Sequence, residues 1–419
     1  VNRPPMQFSP RVGFAWDIFG DGKTALRGGV GLFPDLFNVD LILGLLVQPP
    51  VTNTYTLNYT TIQDLLSTPA SLSPASVFGF ERDYNPPKMY NWSFGVQRDI
   101  GYGTVLDVSY VGTVGRHLRQ RQNLNATPYG TNFLPESRDT TLSGNTPLPS
   151  NFLRPYTGFG DISYIEFSSN SNYHSLQTQV NRRFTDSLTF GVSWTWSKSM
   201  DLSSTDSVLN PFLDPRMRHY GKSTFDRTHN FVFNYNYFLP KVSESWNNFF
   251  TRWVMDDWAV SGLTTFMSGA PSGISYSLVQ AVDLTGASGA GIDSRVVLTG
   301  NPNLPKGERT FDRHFRTDVV QAPTRDDFGI GNAPKDAIRG PGINNWDISI
   351  IKDIPFGTDS RRNAQFRFEM YNAFNHTQFS GVDVGARFDA LGNQVNSRFG
   401  QYTSARAARR IQLGLKLNF

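Results

Sequence analysis

The feature that most constrains this chain is an alternation of apolar and polar side chains with a period of two. That is the spacing at which neighbours along an extended strand point to opposite faces of a sheet. Leu188, Phe190, Val192, Trp194 and Trp196 take one face, and Thr189, Gly191, Ser193, Thr195 and Ser197 take the other. The end of the chain obeys the same rule, with Ile411, Leu413, Leu415, Leu417 and Phe419 alternating with Gln412, Gly414, Lys416 and Asn418. So do Trp92, Phe94 and Val96 against Ser93, Gly95 and Gln97, and Trp346, Ile348 and Ile350 against Asp347 and Ser349. Phe231, Phe233, Tyr235 and Tyr237 oppose Asn230, Asn234 and Asn236. A bundle of membrane helices is excluded, because each span needs about 18 or more apolar residues and the longest greasy run, Leu41 to Val47, is broken by Gly44.

Alternation alone also fits a soluble sandwich, so segment length and the connections decide. Many segments run for about 10 residues or more, beyond the usual strand of about 5 or 6 and near the 9 to 11 that cross a bilayer on a tilt. Short Gly/Asp-rich connections, such as Phe19-Gly-Asp-Gly-Lys23, Gly101-Tyr-Gly103, Thr185-Asp-Ser187 and Phe356-Gly-Thr-Asp-Ser360, alternate with long irregular ones. Tight turns on one side and long loops on the other are how an outer-membrane barrel is built. Charged residues are 18% of the 419, below the roughly 25% of soluble domains, while aromatics reach 14%, which suits a sheet facing lipid.

The expected fold is therefore all-β: an antiparallel transmembrane β-barrel domain over residues 1–419 with about eleven long strands. Their expected centres span about 8–18, 23–33, 88–100, 104–118, 172–184, 187–201, 226–239, 254–268, 343–354, 362–376 and 407–419. Long extracellular loops are expected near 34–86, 120–170, 202–224, 269–342 and 377–406. Bacterial single-chain barrels have even strand numbers, so further strands are expected upstream of Val1.

Other function classes find little support. The 39 Lys+Arg and 35 Asp+Glu leave a net charge of +4 with no basic stripe, so no nucleic-acid partner is expected. There is no Cys, and the six His form no HExxH pair; no Gly-x-Ser-x-Gly elbow occurs. No catalytic residue, metal site or cofactor is expected. Gly286-Ala-Ser-Gly-Ala-Gly291 lacks the Lys-Ser/Thr of a phosphate cradle and reads as a flexible loop tip. Asp283, Asp293, Asp326 and Asp327 fit no EF-hand spacing and read as solvated carboxylates.

Several strings carry a resemblance: Phe8-Ser-Pro-Arg-Val-Gly-Phe-Ala-Trp-Asp17, Asn91-Trp-Ser-Phe-Gly-Val-Gln-Arg98, Phe225-Asp-Arg-Thr-His-Asn230, Phe368-Glu-Met-Tyr-Asn-Ala-Phe-Asn-His376 and the closing Arg410-Ile-Gln-Leu-Gly-Leu-Lys-Leu-Asn-Phe419. In this order they resemble the C-terminal half of the barrel of TonB-dependent outer-membrane receptors, especially the Oar-like group with a carboxypeptidase-regulatory-like domain. The resemblance implies a barrel of about 22 strands filled by an N-terminal plug, placed in the bacterial outer membrane. It implies active uptake of a large nutrient (oligosaccharide, metal chelate or peptide), with the long loops catching a small to medium-sized ligand. Implied partners are outer-membrane lipid, the barrel-assembly machinery and the TonB complex, the last through a plug these residues do not include. The alternative is an outer-membrane anchor, adhesin or secretion-related surface protein without uptake.

The resemblance also implies that Phe419, with Leu417 and Leu415 on the same face, serves as an assembly signal; the plainer reading is a lipid-facing end. Trp92, Trp194, Trp196, Tyr235, Tyr237, Trp258 and Trp346 are expected in aromatic girdles at the two interfaces, sugar stacking being the other reading. Arg27, Gln97, Asp107, Gln177, Gln179, Arg367 and Glu369 fall on polar faces and are expected to line the lumen as a hydrated wall or as cargo contacts. Glu369 with Asn372 and Asn375 is expected to form a structural polar network. The loop aromatics Tyr55, Tyr59, Phe152, Tyr156 and Phe159 are expected to pack loops together or meet substrate.

Overall fold

The computed structural model describes residues 6–355 and 363–418, apart from 36–38, 53–54, 57–60, 62, 64–70, 73, 84, 186, 247 and 249. Eleven strands form its wall: β1 (Arg11–Asp17), β2 (Thr24–Pro34), β3 (Lys88–Gly101), β4 (Thr104–Asn123), β5 (Phe159–Thr185), β6 (Leu188–Asp201), β7 (His229–Phe238), β8 (Trp258–Met267), β9 (Ile343–Pro355), β10 (Asn363–Tyr371) and β11 (Arg410–Asn418). Each pairs antiparallel with the next in chain order. Among the described residues β1 and β11 share no ladder, so the sheet is open.

Because directly paired residues share a face, the register joins the apolar rows of neighbouring strands into one belt. Trp16 lies opposite Leu26, Leu26 opposite Val96, and Val96 opposite Val108. Further on, Val180 meets Val192, Val192 meets Phe233, and at the far edge Ile350, Phe368 and Leu413 stand in one row. Aromatic edges knit the middle, with Phe231–Phe266 centroids 5.8 Å apart and Phe266–Trp346 5.6 Å apart. Small residues make room for the rings. A Cβ on Gly262 would lie 2.6 Å from the Tyr235 hydroxyl, and one on Gly112 would enter the Trp92 indole.

Val12, Phe14, Leu413 and Leu415 are each 50% exposed or more, so among the described residues no second layer covers the belt there. This decides between sandwich and barrel wall. Removing such a side chain from water is worth roughly 1.5–3 kcal/mol, and the only partner that can do so along a one-layer sheet is hydrocarbon.

At one end of the wall the turns are tight. Gly101, Tyr102 and Gly103 all have positive φ (91°, 53° and 64°), and Asp17 accepts from the Gly20 and Gly22 amides. At the other end the wall grows arms. β4 bulges between Gly115 and Leu118, with His117 at φ 54°, and then continues to Asn123 beside β5, which begins at Phe159. The strand Ala75–Phe80 joins β5 in parallel and packs Phe78 and Phe80 against buried Ile165 and Phe167.

Several boundaries differ from expectation, and β1 and β7 each start three residues late, at Arg11 and His229. The connection expected over 120–170 is narrower, because both flanking strands run on past the bulge. β10 stops at Tyr371 rather than residue 376, since Asn372 and Asn375 take left-handed φ of 53°. β8 starts at Trp258 rather than 254, because Thr251–Met255 forms a π-turn closed by Asp256 N–H donating to the Thr251 carbonyl. β11 starts at Arg410 rather than 407. The turns expected at residue 186 and over 356–360 fall wholly or partly outside the described residues.

Candidate functional site

The long connections do not splay into solvent; they lock into a cap at one end of the wall. Among the described residues the larger hydrophobic cluster lies here, where Ile274, Val296, Phe315, Val319, Ile338 and Phe388 are buried together from the connections 268–342 and 372–409. His314 sits inside this cap, its Nδ1 2.9 Å from the Tyr402 hydroxyl and its Nε2 2.6 Å from the Arg339 carbonyl. Burial pushes its pKa down.

A second lock is polar. Asp293 takes Arg218 Nε at 2.9 Å and Arg295 Nε at 3.0 Å on one oxygen and Asn210 Nδ2 at 2.6 Å on the other. Tyr129 donates to the Asp293 carbonyl at 3.0 Å, so three separate connections meet at one residue. Burial alone would raise the Asp293 pKa, but the Asn210 hydrogen bond and the two guanidinium charges outweigh it and hold the carboxyl below its usual range. Next to it, burial drives the pKa of His219 down to about 4, helped by Arg295, Arg218 and Lys335 against the opposing pull of Asp293. Its Nε2 accepts from the Asn210 amide at 3.1 Å, which requires the unprotonated ring. Asp226 pairs with Arg339 and accepts from Ser199 N at 2.7 Å, and Asp201 pairs with Lys335, tying the cap to the end of β6.

Two expectations are corrected by this packing. Asp293 is not a solvated carboxylate. Gly286–Gly291 is not a loose tip: Thr127 bridges Ser288, Gly286 lies against the Gly130 backbone, and a Cβ on Gly289 would meet Asn123 at 2.8 Å.

Beneath the cap, on the polar face of β8–β11, a cleft of about 790 Å³ is lined by Asn345, Asp347, Asn372, Gln378, Arg406 and Arg410, among others. It shares Ile343 and Arg406 with a neighbouring cleft of about 350 Å³ that also exposes Arg227. Asn372 organises one wall. Its amide donates to Asp347 Oδ1 at 2.9 Å and its side chain closes on the His376 backbone, while Asn375 accepts from Arg409 N at 3.1 Å. Tyr371 donates to Glu369 at 3.2 Å. Among the described residues neither Arg406 nor Arg410 has an ion-pair partner. The arrangement can hold an anion between two guanidiniums and offer hydrogen bonds around it.

The ladder places Arg27, Gln97, Asp107, Gln177, Gln179, Arg367 and Glu369 all on the polar face. Neighbours there are hydrogen-bonded along the strand, as in Arg367 to Gln365 (2.6 Å) and Gln365 to Asp353 (3.0 Å). Trp92, Trp194, Trp196, Tyr235, Tyr237, Trp258 and Trp346 all stand on the apolar face. Trp92, Trp194 and Trp196 lie toward the cap and Tyr237 and Trp258 toward the tight turns, while Trp346, in the row of Phe233, and Tyr235 lie between them. From the level of Trp196, which opposes His229, to Tyr237 is about 26 Å along β7 at roughly 3.3 Å per residue, close to the apolar band of about 25 Å in outer-membrane barrels. Leu415 and Leu417 are exposed on the apolar face, and Phe419 lies outside the described residues. Phe152 and Tyr156 are 70% and 55% exposed, while Phe159 opens β5; the Tyr55 and Tyr59 side chains lie outside the described residues.

Sequence reasoning missed Arg218, Arg295 and Asn210, which carry no local pattern, and read Asp293 as solvated. The cleft arginines did have a signal in the string Arg406-Ala-Ala-Arg-Arg410 just before the last strand.

The family model of the outer membrane beta barrel domain matches residues 1–412. The chain belongs to that family, and its place is the bacterial outer membrane. No curated protein matches it in sequence. Similar solved structures include the outer membrane transporter YddB from Escherichia coli (TM-score 0.48, 10% identity, 98% of this chain and 40% of that one). The siderophore receptor PirA from Acinetobacter baumannii gives 0.44, 10%, 98% and 41%. The FrpB iron transporter from Neisseria meningitidis, F3-3 variant, gives 0.43, 9%, 97% and 38%. The chain thus spans about 40% of the length of the outer membrane transporter it matches.

Proposed function

We propose that this chain forms part of the wall and the ligand-catching mouth of a TonB-dependent receptor for active uptake, as the C-terminal half of a barrel of about 22 strands. The observation that carries this reading is the arginine-lined cleft on the polar face directly under an ordered cap. A wall that only anchored adhesive loops would have no need of a built pocket on its inner side. In this reading the polar rows from Arg27 to Glu369 line the lumen, and Trp92, Trp194 and Trp196 at one end and Tyr237 and Trp258 at the other mark the interfaces. The cap end faces outward, because long loops are external in such barrels. Arg406 and Arg410 select a large nutrient bearing negative charge, such as an anionic metal chelate, an acidic oligosaccharide or an acidic peptide.

Uptake of labelled ligands of these three kinds by cells with and without the protein tests the reading. The expected result is uptake of one kind that needs the protein, stops when a protonophore collapses the inner-membrane gradient, and falls at least tenfold in Arg406→Glu/Arg410→Glu. Uptake that survives the protonophore would make the protein a passive pore. Unchanged uptake with lost surface adhesion would make it an anchor.

A further inference from the structure

The outward, apolar face of the wall carries a charge pattern that the uptake reading does not use. Below the β4 bulge, acidic residues of the wall strands, including Asp99, Asp107, Asp201, Asp347 and Glu369, lie in the polar rows. The charged residues in the apolar rows are cations at the two ends. Arg98, Arg182 and Lys352 lie toward the tight turns, and Lys88, Arg116 and Lys198 toward the cap. At the cap end the pattern becomes a pocket. Lys88 and Arg116 are directly paired across β3 and β4, a like-charge arrangement that is unfavourable unless something anionic sits between. Arg116 also lines a recess of about 310 Å³ with Arg216, Asn170, Ser171, Asn172 and Tyr220. Among the described residues no carboxylate lines it, and Lys88, Arg116 and Arg216 have no ion-pair partner. Asn172 donates to the Tyr220 hydroxyl at 2.9 Å, which fixes the floor.

We propose that this recess binds the phosphate of an anionic lipid headgroup in the outer leaflet, gripped by Arg116 and Arg216 with Lys88 beside them. Two guanidiniums with surrounding hydroxyl and amide groups match a phosphate, which arginine holds through paired hydrogen bonds. The height argues for a lipid over a soluble anion. Arg116 lies four residues along from the level of Trp92, roughly 13 Å at 3.3 Å per residue, and so just beyond the cap-side aromatic group. The Trp92 ring lies tilted against His174 with centroids 5.9 Å apart, and His174 meets the Tyr110 hydroxyl at 2.7 Å, a polar–aromatic layer between the oily belt and the cations. A phosphate tethered to acyl chains in that belt is held at the right level and high local concentration. The outer-leaflet assignment rests on the orientation given under the proposed function.

The complete protein, delipidated and reconstituted in phosphatidylcholine nanodiscs doped with bis-phosphorylated lipid A, supplies the test, with retained lipid read by native mass spectrometry. Retention is expected to fall at least tenfold in Arg116→Ala/Arg216→Ala and to stay at the wild-type level in Arg98→Ala/Arg182→Ala at the opposite end. Equal retention by the first pair and the wild type, or equal retention of dephosphorylated lipid A, overturns the site. Displacement by inorganic phosphate at equal concentration overturns the lipid as its source. Orientation is read separately. The chain has no Cys, so Ser143→Cys, on the exposed connection between β4 and β5 at the cap end, should react with a membrane-impermeant maleimide on intact cells. Failure to react overturns the outer-leaflet assignment and the uptake orientation together, whereas labelling without phosphate-selective retention rejects the pocket alone.

Discussion

Asp293 concentrates the polar energetics of the cap in one side chain. Removing its charge leaves Arg218 and Arg295, whose side chains are only 7% and 15% exposed, facing each other without a counter-ion. Asp293→Asn should cost on the order of 3 kcal/mol of cap stability, the cost of stranding buried charges. Hydrogen exchange at the Tyr129 and Asn210 connections would show it, and wild-type protection would refute it. Acid should act in the same direction. Burial holds the folded His219 pKa at about 4, well below the ordinary imidazole value of 6.5, so the unfolded cap takes up a proton that the folded cap refuses. Its stabilising contribution is complete above about pH 6.5 and is lost as the pH falls toward 4. Asp293, whose pKa is depressed, adds a further loss below the ordinary carboxylate range. Cap protection, corrected for intrinsic exchange rates, should therefore decline from pH 7 to pH 5, and a flat profile would exclude His219 as its cause. None of this was legible beforehand, because the partners at 129, 210, 218 and 295 have no shared spacing.

Strands are the scale at which the chain is most readable. The period-two pattern fixes which side chains share a face, and each of the eleven expected strands overlaps its observed counterpart. Where boundaries moved, the cause was a backbone event without an alternation signature: the His117 bulge, the left-handed asparagines after Tyr371, or the π-turn before Trp258. A bulge also exchanges the faces beyond it, so alternation could not be carried from β4 into the cap. Facing makes a direct prediction. Val192→Arg and Leu413→Arg each place a cation in the oily belt, where it costs about 2–4 kcal/mol near the midplane. Both should reduce heat-resistant, folded protein in outer-membrane fractions, while Ser193→Arg on the polar face should not. Normal assembly of the first two would show that the belt does not meet lipid.

At the scale of the whole molecule, the wall and the cap are stabilised differently. The wall is one layer thick, joined by ladders and dependent on hydrocarbon to cover its oily side; the cap has its own dry core around Phe315 and Ile338. β1 and β11 expose unpaired edges among the described residues, and open edges template association. The 419-residue chain produced by itself in water should therefore associate, and it should need detergent to stay dispersed. A monodisperse, sharply melting monomer in sedimentation and calorimetry would contradict a lipid-covered wall.

The sequence by itself determined the strands, their facing and the medium they meet, because strand geometry converts residue parity directly into two faces and an all-oily face has few places to go. Part of the candidate site was written there too, in the basic string before β11. What only the tertiary structure decided is which connections lock together and where they leave room. Thr127 meets Ser288 across 161 positions, and Asp293 gathers cations and amides from loops whose order along the chain says nothing of their meeting. Contacts of that range are set by how the loops pack over the end of the wall, and local pattern has no access to that packing.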